Sequence, residues 1–99
     1  MQSGSFNLDA DFPSALTSGD TSTFVDVYFP TPFPEGSSII VIPMVQTFNG
    51  ADTPGLRIDD VNEFGFKIRM NELVRGGPRE ALSDGGHNRE EIGWIAIGD

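Results

Sequence analysis

Cysteine is absent from the 99 residues, which excludes a disulfide framework, a thiolate nucleophile and any zinc site of the cysteine type. The redox compartment is thereby left open. Histidine is nearly absent: His87 is the only one, and no Gly-x-Ser-x-Gly elbow exists, so a Ser-His-Asp triad has little to be built from. Cations are scarce, with 6 Lys plus Arg against 15 Asp plus Glu and a formal charge of −9. Such a surface repels phosphate backbones, so nucleic acid is not an expected partner. No apolar run approaches the roughly 20 residues of a membrane-spanning helix, and no membrane insertion is expected. The opening MQSGSFNLDA also lacks the basic-then-apolar order of an export signal. An exported chain would have lost that signal, or would be a module excised from a longer protein.

What the chain does contain is turn chemistry and alternating strands. It has 12 Gly and 7 Pro, with eight Phe among 37% hydrophobic residues, a composition that favours a globular domain with frequent turns. Residues 2–8 alternate around Phe6 and Leu8 and predict a brief strand, followed by a loop that contains Asp20. In STFVDVYF, Thr23, Val25, Val27 and Phe29 share one side, and Phe24, Asp26 and Tyr28 the other. The alternate prolines of PTPFPEG fix a non-helical connector.

The run IIVIPMVQ, residues 39–46, predicts a strand covered on both faces, one of them by a neighbouring subunit. Its Pro43 places it at an edge or a bulge. Beyond the turn-rich segment 47–55, Leu56 and Ile58 oppose Arg57 and Asp59. Phe64, Phe66, Ile68 and Met70 then alternate with Gly65, Lys67, Arg69 and Asn71. Residues 75–89 show no apolar period and predict a long connection, with one helical turn at most in PREAL. Ile92, Trp94 and Ala96 define a final, buried strand. Residues 1–99 thus form a single domain, an all-β, six-stranded antiparallel β-sandwich.

The residues offer little for catalysis. Carboxylate pairs for glycoside hydrolysis are available in number, but nothing in the sequence fixes their separation. Asp9-Ala10-Asp11 and Asp59-Asp60 supply oxygen ligands, yet the full acidic calcium loop is missing, so no cofactor is expected beyond a possible calcium ion at a subunit junction. The glycine pairs at 76–77 and 85–86 do not open a helix after a strand and give no phosphate cradle. Recognition by a polar site on a rigid scaffold remains. Asp20, Arg57, Asn71, Glu72 and His87 supply groups able to pair with hydroxyls, and Tyr28 or Leu73 an apolar face for a sugar ring.

The ordered set QSGSF, VYFPTPFPEGSSIIVIPMVQTF, LRI, VNEFGFKI and IGWIAIGD resembles the H-type lectin domain, the family of snail agglutinins and of the discoidin carboxy-terminal domain. The resemblance implies an extracellular or cell-surface module of a six-stranded sandwich. Its protomers would form a homotrimer, sometimes stacked as a hexamer, with carbohydrate sites near subunit boundaries and a role in cell adhesion. It also implies that Arg57 stands at the family's sugar-contacting arginine, Asp20 in the loop carrying an acidic contact, and Trp94 at the core tryptophan of the last strand. The alternative for Arg57 is an exposed ion pair with Asp59, two residues on along the same side. Where the snail lectins carry Trp-His, this chain has Glu72-Leu73-Val74 and a longer connection, from which His87 would have to fold back to supply the missing contacts. The expected function is non-catalytic glycan binding by an oligomer. The rival is a structural oligomerisation or adhesion module of a larger secreted or surface protein without sugar affinity, and a hydrolase stands third.

Overall fold

The computed structural model describes residues 1–11, 18–51, 53–73, 83–84 and 86–99, and among them there is no helix. Seven strands follow one another: β1 (Gln2–Asp11), β2 (Val25–Tyr28), β3 (Ile39–Val45), β4 (Pro54–Asp59), β5 (Gly65–Leu73), β6 (Ser83–Asp84) and β7 (Gly86–Gly98). They pair antiparallel throughout, as one sheet in the order β1-β7-β3 and a second in the order β2-β5-β4, with β6 also on β5. Pro54 occupies the β4 side of β5 as far as Glu72, so β6, which also pairs with Glu72, continues the β2 side.

Register and pleat decide what is inside. On β1 and β7 the facing pairs Gly4↔Trp94, Phe6↔Ile92 and Leu8↔Glu90 turn one set of side chains inward, and on β3 Val41 joins them opposite Ala96. From the second sheet come Phe66, Ile68 and Met70, with Leu56 and Ile58 packed against them. The result is sandwich-like, with one apolar core shared by two sheets. Trp94 links them: its ring lies 5.8 Å from Phe66 in an edge-on arrangement and 5.5 Å from Phe29, geometry that adds to the burial itself. Gly4 makes this possible, because a Cβ there would stand 2.7 Å from the Trp94 ring. The proline connector is fastened by backbone hydrogen bonds from Phe29 to Phe64 and from Phe33 to Glu63, both 2.9 Å.

Several expectations need correction. β1 runs three residues beyond Leu8, and β7 starts at Gly86, so His87, Asn88 and Arg89 lie on a strand rather than in a long connection. A bulge hid this. Leu8 faces Glu90 while Ala10 faces His87, two steps on β1 against three on β7, which sets Asn88 and Arg89 opposite Asp9. The extra residue breaks the period of two and turns both His87 and Glu90 inward. Phe64 does not join the core: β5 begins after it, and its side chain is 56% exposed. Within the chain β3 is covered on one face, and Ile40, Ile42 and Met44 point outward on the face expected to meet a neighbouring subunit. It is an edge strand, as Pro43 requires. The final strand is likewise buried on one side, with Ile95 and Ile97 exposed on the other. The expected helical turn at residues 78–82 lies outside the described residues.

Two glycines make sharp stability tests. At Gly65 a Cβ would lie 2.0 Å from the Val27 carbonyl oxygen, so Gly65→Ala must separate β2 from β5. Gly4→Val must displace the Trp94 ring and is expected to cost about 1–3 kcal/mol. In urea unfolding both variants should lower the midpoint, Gly65→Ala the more, because a backbone oxygen yields less readily than a side chain.

Candidate functional site

Because Leu56, Ile58, Ile68 and Met70 face the core, the alternate residues of β4 and β5 form the outer face of their sheet. That face holds three of the six cations of the chain, Arg57, Lys67 and Arg69, together with their anionic and amide partners; Arg89 stands elsewhere, beside Asp9.

 Arg57 stands directly opposite Arg69, and Asp59 opposite Lys67, whose other neighbour is Asp26. Two like charges in register are unfavourable unless something offsets them.

Arg69 is fixed by its neighbours. Its Nε donates to Asn71 Oδ1 at 2.7 Å, and its guanidinium also donates to the Thr23 hydroxyl. Only 2% of Arg69 is exposed, and burial lowers its pKa. Thr23 is placed by the turn ahead of β2, where Gly19 takes a positive φ of 82° and the Ser22 N–H donates to Asp20 Oδ1 at 3.0 Å. That hydrogen bond lowers the Asp20 pKa. Arg57, by contrast, is exposed, and among the described residues neither Asp59 nor any other group pairs with its guanidinium.

Of the residues singled out in the sequence, Arg57 and Asn71 stand in phase on this face, Asp20 lies in the turn ahead of β2, and Glu72 lies farther along β5. Arg57 presents a guanidinium outward, Asn71 lies buried behind it holding Arg69, and Asp20 sets the turn that delivers Thr23. Glu72 follows on β5, paired with Pro54 and Asp84, and its side chain lies outside the described residues, as does that of Leu73. His87 is not with them. It points into the interior from the other sheet, away from the face that carries Arg57, and so does not fold back to that face as expected. Arg69 and Thr23 were missed by the sequence reading. Alternation puts Arg69 on the side of Asn71, but only the strand register brings it opposite Arg57.

His87 instead belongs to a buried knot around Glu90. The Glu90 carboxylate accepts from the Thr47 hydroxyl at 2.6 Å, from the Asn49 and Gly50 N–H groups at 2.9 Å each, and meets His87 Nε2 at 3.0 Å. These partners, the Thr47 hydroxyl foremost, lower its pKa to about 2. Gly50 leaves room for the imidazole: a Cβ there would sit 3.1 Å from His87. The knot anchors the start of the β3–β4 loop. Among the described residues no group of three or more His, Asp or Glu side chains gathers to hold a metal ion.

The depressed pKa fixes the sign of a pH effect. Stability from the ionised Glu90 is fully present above its unfolded value of 4.5 and is lost as pH falls toward about 2. Thermal unfolding should therefore show a falling Tm across that window. Glu90→Gln should lower Tm at pH 7 by about 5 °C or more and flatten the decline. An unchanged acid limb in Glu90→Gln would show that the carboxylate is not the group responsible. Set beside known proteins, this chain matches no family model, no curated protein and no solved structure.

Proposed function

We propose that this chain is a non-catalytic carbohydrate-binding module, an antiparallel β-sandwich of six main strands, with the two-residue β6 in addition, of the H-type lectin kind that works as an extracellular or cell-surface oligomer. The observation that carries the reading is Arg57: an exposed guanidinium that no group among the described residues engages, in register opposite a buried Arg69 that is held by Asn71 and Thr23. A guanidinium fork pairs well with vicinal hydroxyls or a carboxylate. In this reading Arg57 contacts the sugar and Asp20 accepts from its hydroxyls. Asn71 acts from behind by orienting Arg69, and His87 by holding Glu90 and its loop. Single sites of this kind are weak, so several would act together in a homotrimer or hexamer.

A second reading is favoured by a different observation. Ile40, Ile42 and Met44 of β3 and Ile95 and Ile97 of β7 form an exposed aliphatic face, between 42% and 66% open. Facing pairs Ile40↔Ile97 and Ile42↔Ile95 make it continuous. A contiguous apolar surface of this sort marks an interface. A structural oligomerisation or adhesion module without sugar affinity would need that face and not Arg57.

A broad glycan array on the purified protein tests the first reading. Arg57→Ala is expected to weaken the strongest response at least tenfold, about 1.4 kcal/mol, while Tm stays unchanged because the side chain is exposed. No glycan response, or one indifferent to Arg57→Ala, would overturn it. Light scattering on Ile42→Asp/Met44→Asp is expected to show monomers where the parent chain is oligomeric. An oligomer that binds no glycan selects the structural reading.

A further inference from the structure

The outer face that carries Arg57 continues toward the β4–β5 turn, where it becomes a hollow of about 300 Å³ with an aromatic side chain at each flank. Tyr28 is 72% exposed and Phe64 56%, the most open aromatics on this part of the surface. Between them β5 begins at Gly65, paired with Tyr28, so no side chain rises from the floor at that position. Four polar residues complete the lining: Asp26, Asp60, Asn62 and Lys67.

Their roles differ. Lys67 Nζ and Asp26 Oδ1 form an ion pair at 2.7 Å, half open to solvent on the Asp26 side, and this raises the Lys67 pKa. Asn62 is spent on the turn itself, donating to the Asp60 carbonyl at 3.0 Å and accepting from the Phe64 N–H at 2.9 Å. It thereby fixes where Phe64 and Asp60 stand. The Asp60 backbone adopts a φ of 50°, the one positive value outside glycine among the described residues. Its carboxylate makes no hydrogen bond among the described residues and is free to accept one.

Exposed aromatic faces carry partial negative charge, which suits the polarised C–H groups of a pyranose ring, while carboxylate and ammonium groups beside them suit its hydroxyls. The place suits an extended ligand. Gly65, which faces Tyr28, is four residues along β5 from Arg69, which faces Arg57, a separation of about 13 Å that exceeds two sugar units. Resting on the glycan-binding reading above, we infer that the Tyr28–Phe64 hollow is a second saccharide subsite, which holds a later ring of a glycan whose first ring lies at Arg57. The module therefore recognises extended glycans rather than single terminal sugars. Asp60 and Asp26 accept from hydroxyls of that later ring, Lys67 donates to its oxygens, and Tyr28 and Phe64 bracket its apolar face.

Titration calorimetry of the full chain with glucose-, galactose-, N-acetylglucosamine- and glucuronate-based saccharides of one to four residues tests this. In the series that binds, affinity is expected to rise about tenfold or more from one residue to four. Tyr28→Ala and Phe64→Ala should each erase most of that gain while leaving monosaccharide affinity within about twofold of the parent, and Asp60→Asn should reduce it in part. Both aromatics are exposed, and an unchanged Tm verifies folding. Affinity independent of chain length, or a gain that survives Tyr28→Ala/Phe64→Ala together, overturns the subsite but leaves the Arg57 site standing. Binding to no saccharide in any series, monosaccharides included, overturns the glycan-binding reading and the subsite with it.

Discussion

A single extra residue in β7 governs much of this molecule. Alternation in an unbroken strand would send His87 and Glu90 to opposite faces, because they are three positions apart. The bulge at Asn88 and Arg89 brings both inside. A buried carboxylate is costly unless its oxygens are fully engaged, and here Thr47, Asn49, Gly50 and His87 engage them. The same contacts hold the first residues after β3 against β7. An acidic side chain in the interior thus becomes the anchor of a loop rather than a defect.

The other organising contact is aromatic. Trp94 occupies space left by Gly4 on its own sheet and meets Phe29 and Phe66 from beyond it. With this side secured from within, the outer surfaces of the two sheets are released for different uses. One is aliphatic along β3 and β7. The other is polar along β4 and β5, with Arg57 at one place and two exposed aromatics at another. The chain is strongly acidic, yet its polar face gathers Arg57, Lys67 and Arg69, a concentration that composition alone does not suggest.

Much of the fold was legible because strands declare themselves locally. The alternation in residues 56–59 and 66–71 assigned inward and outward sides that the structure retains, and Pro43 marked β3 as an edge. Failures arose where a side chain's fate depends on distant partners. The bulge needs β1 to be seen, since nothing within residues 86–90 reveals that Asp9 faces two residues rather than one. Phe64 looked like the first member of an alternating set, but the Asn62 turn claims its backbone and leaves its ring outside. Of the candidate site, alternation turns Arg57 away from Leu56 and Ile58, and Asn71 away from Ile68 and Met70. The facing of Arg57 by Arg69, and the seat of Thr23, are products of register and turn, which no stretch of sequence encodes by itself.

Pro43 has a consequence beyond marking the border of a sheet. β3 is the rim of the three-stranded sheet, and an unprotected rim invites a strand from another molecule to add by backbone hydrogen bonding. A proline in the middle of that rim supplies no amide proton, so an incoming strand would find a gap in its ladder. Open-ended, fibre-like growth is thereby discouraged along the most aliphatic strand of the chain, and copies that meet there are directed to associate broadside, in closed assemblies.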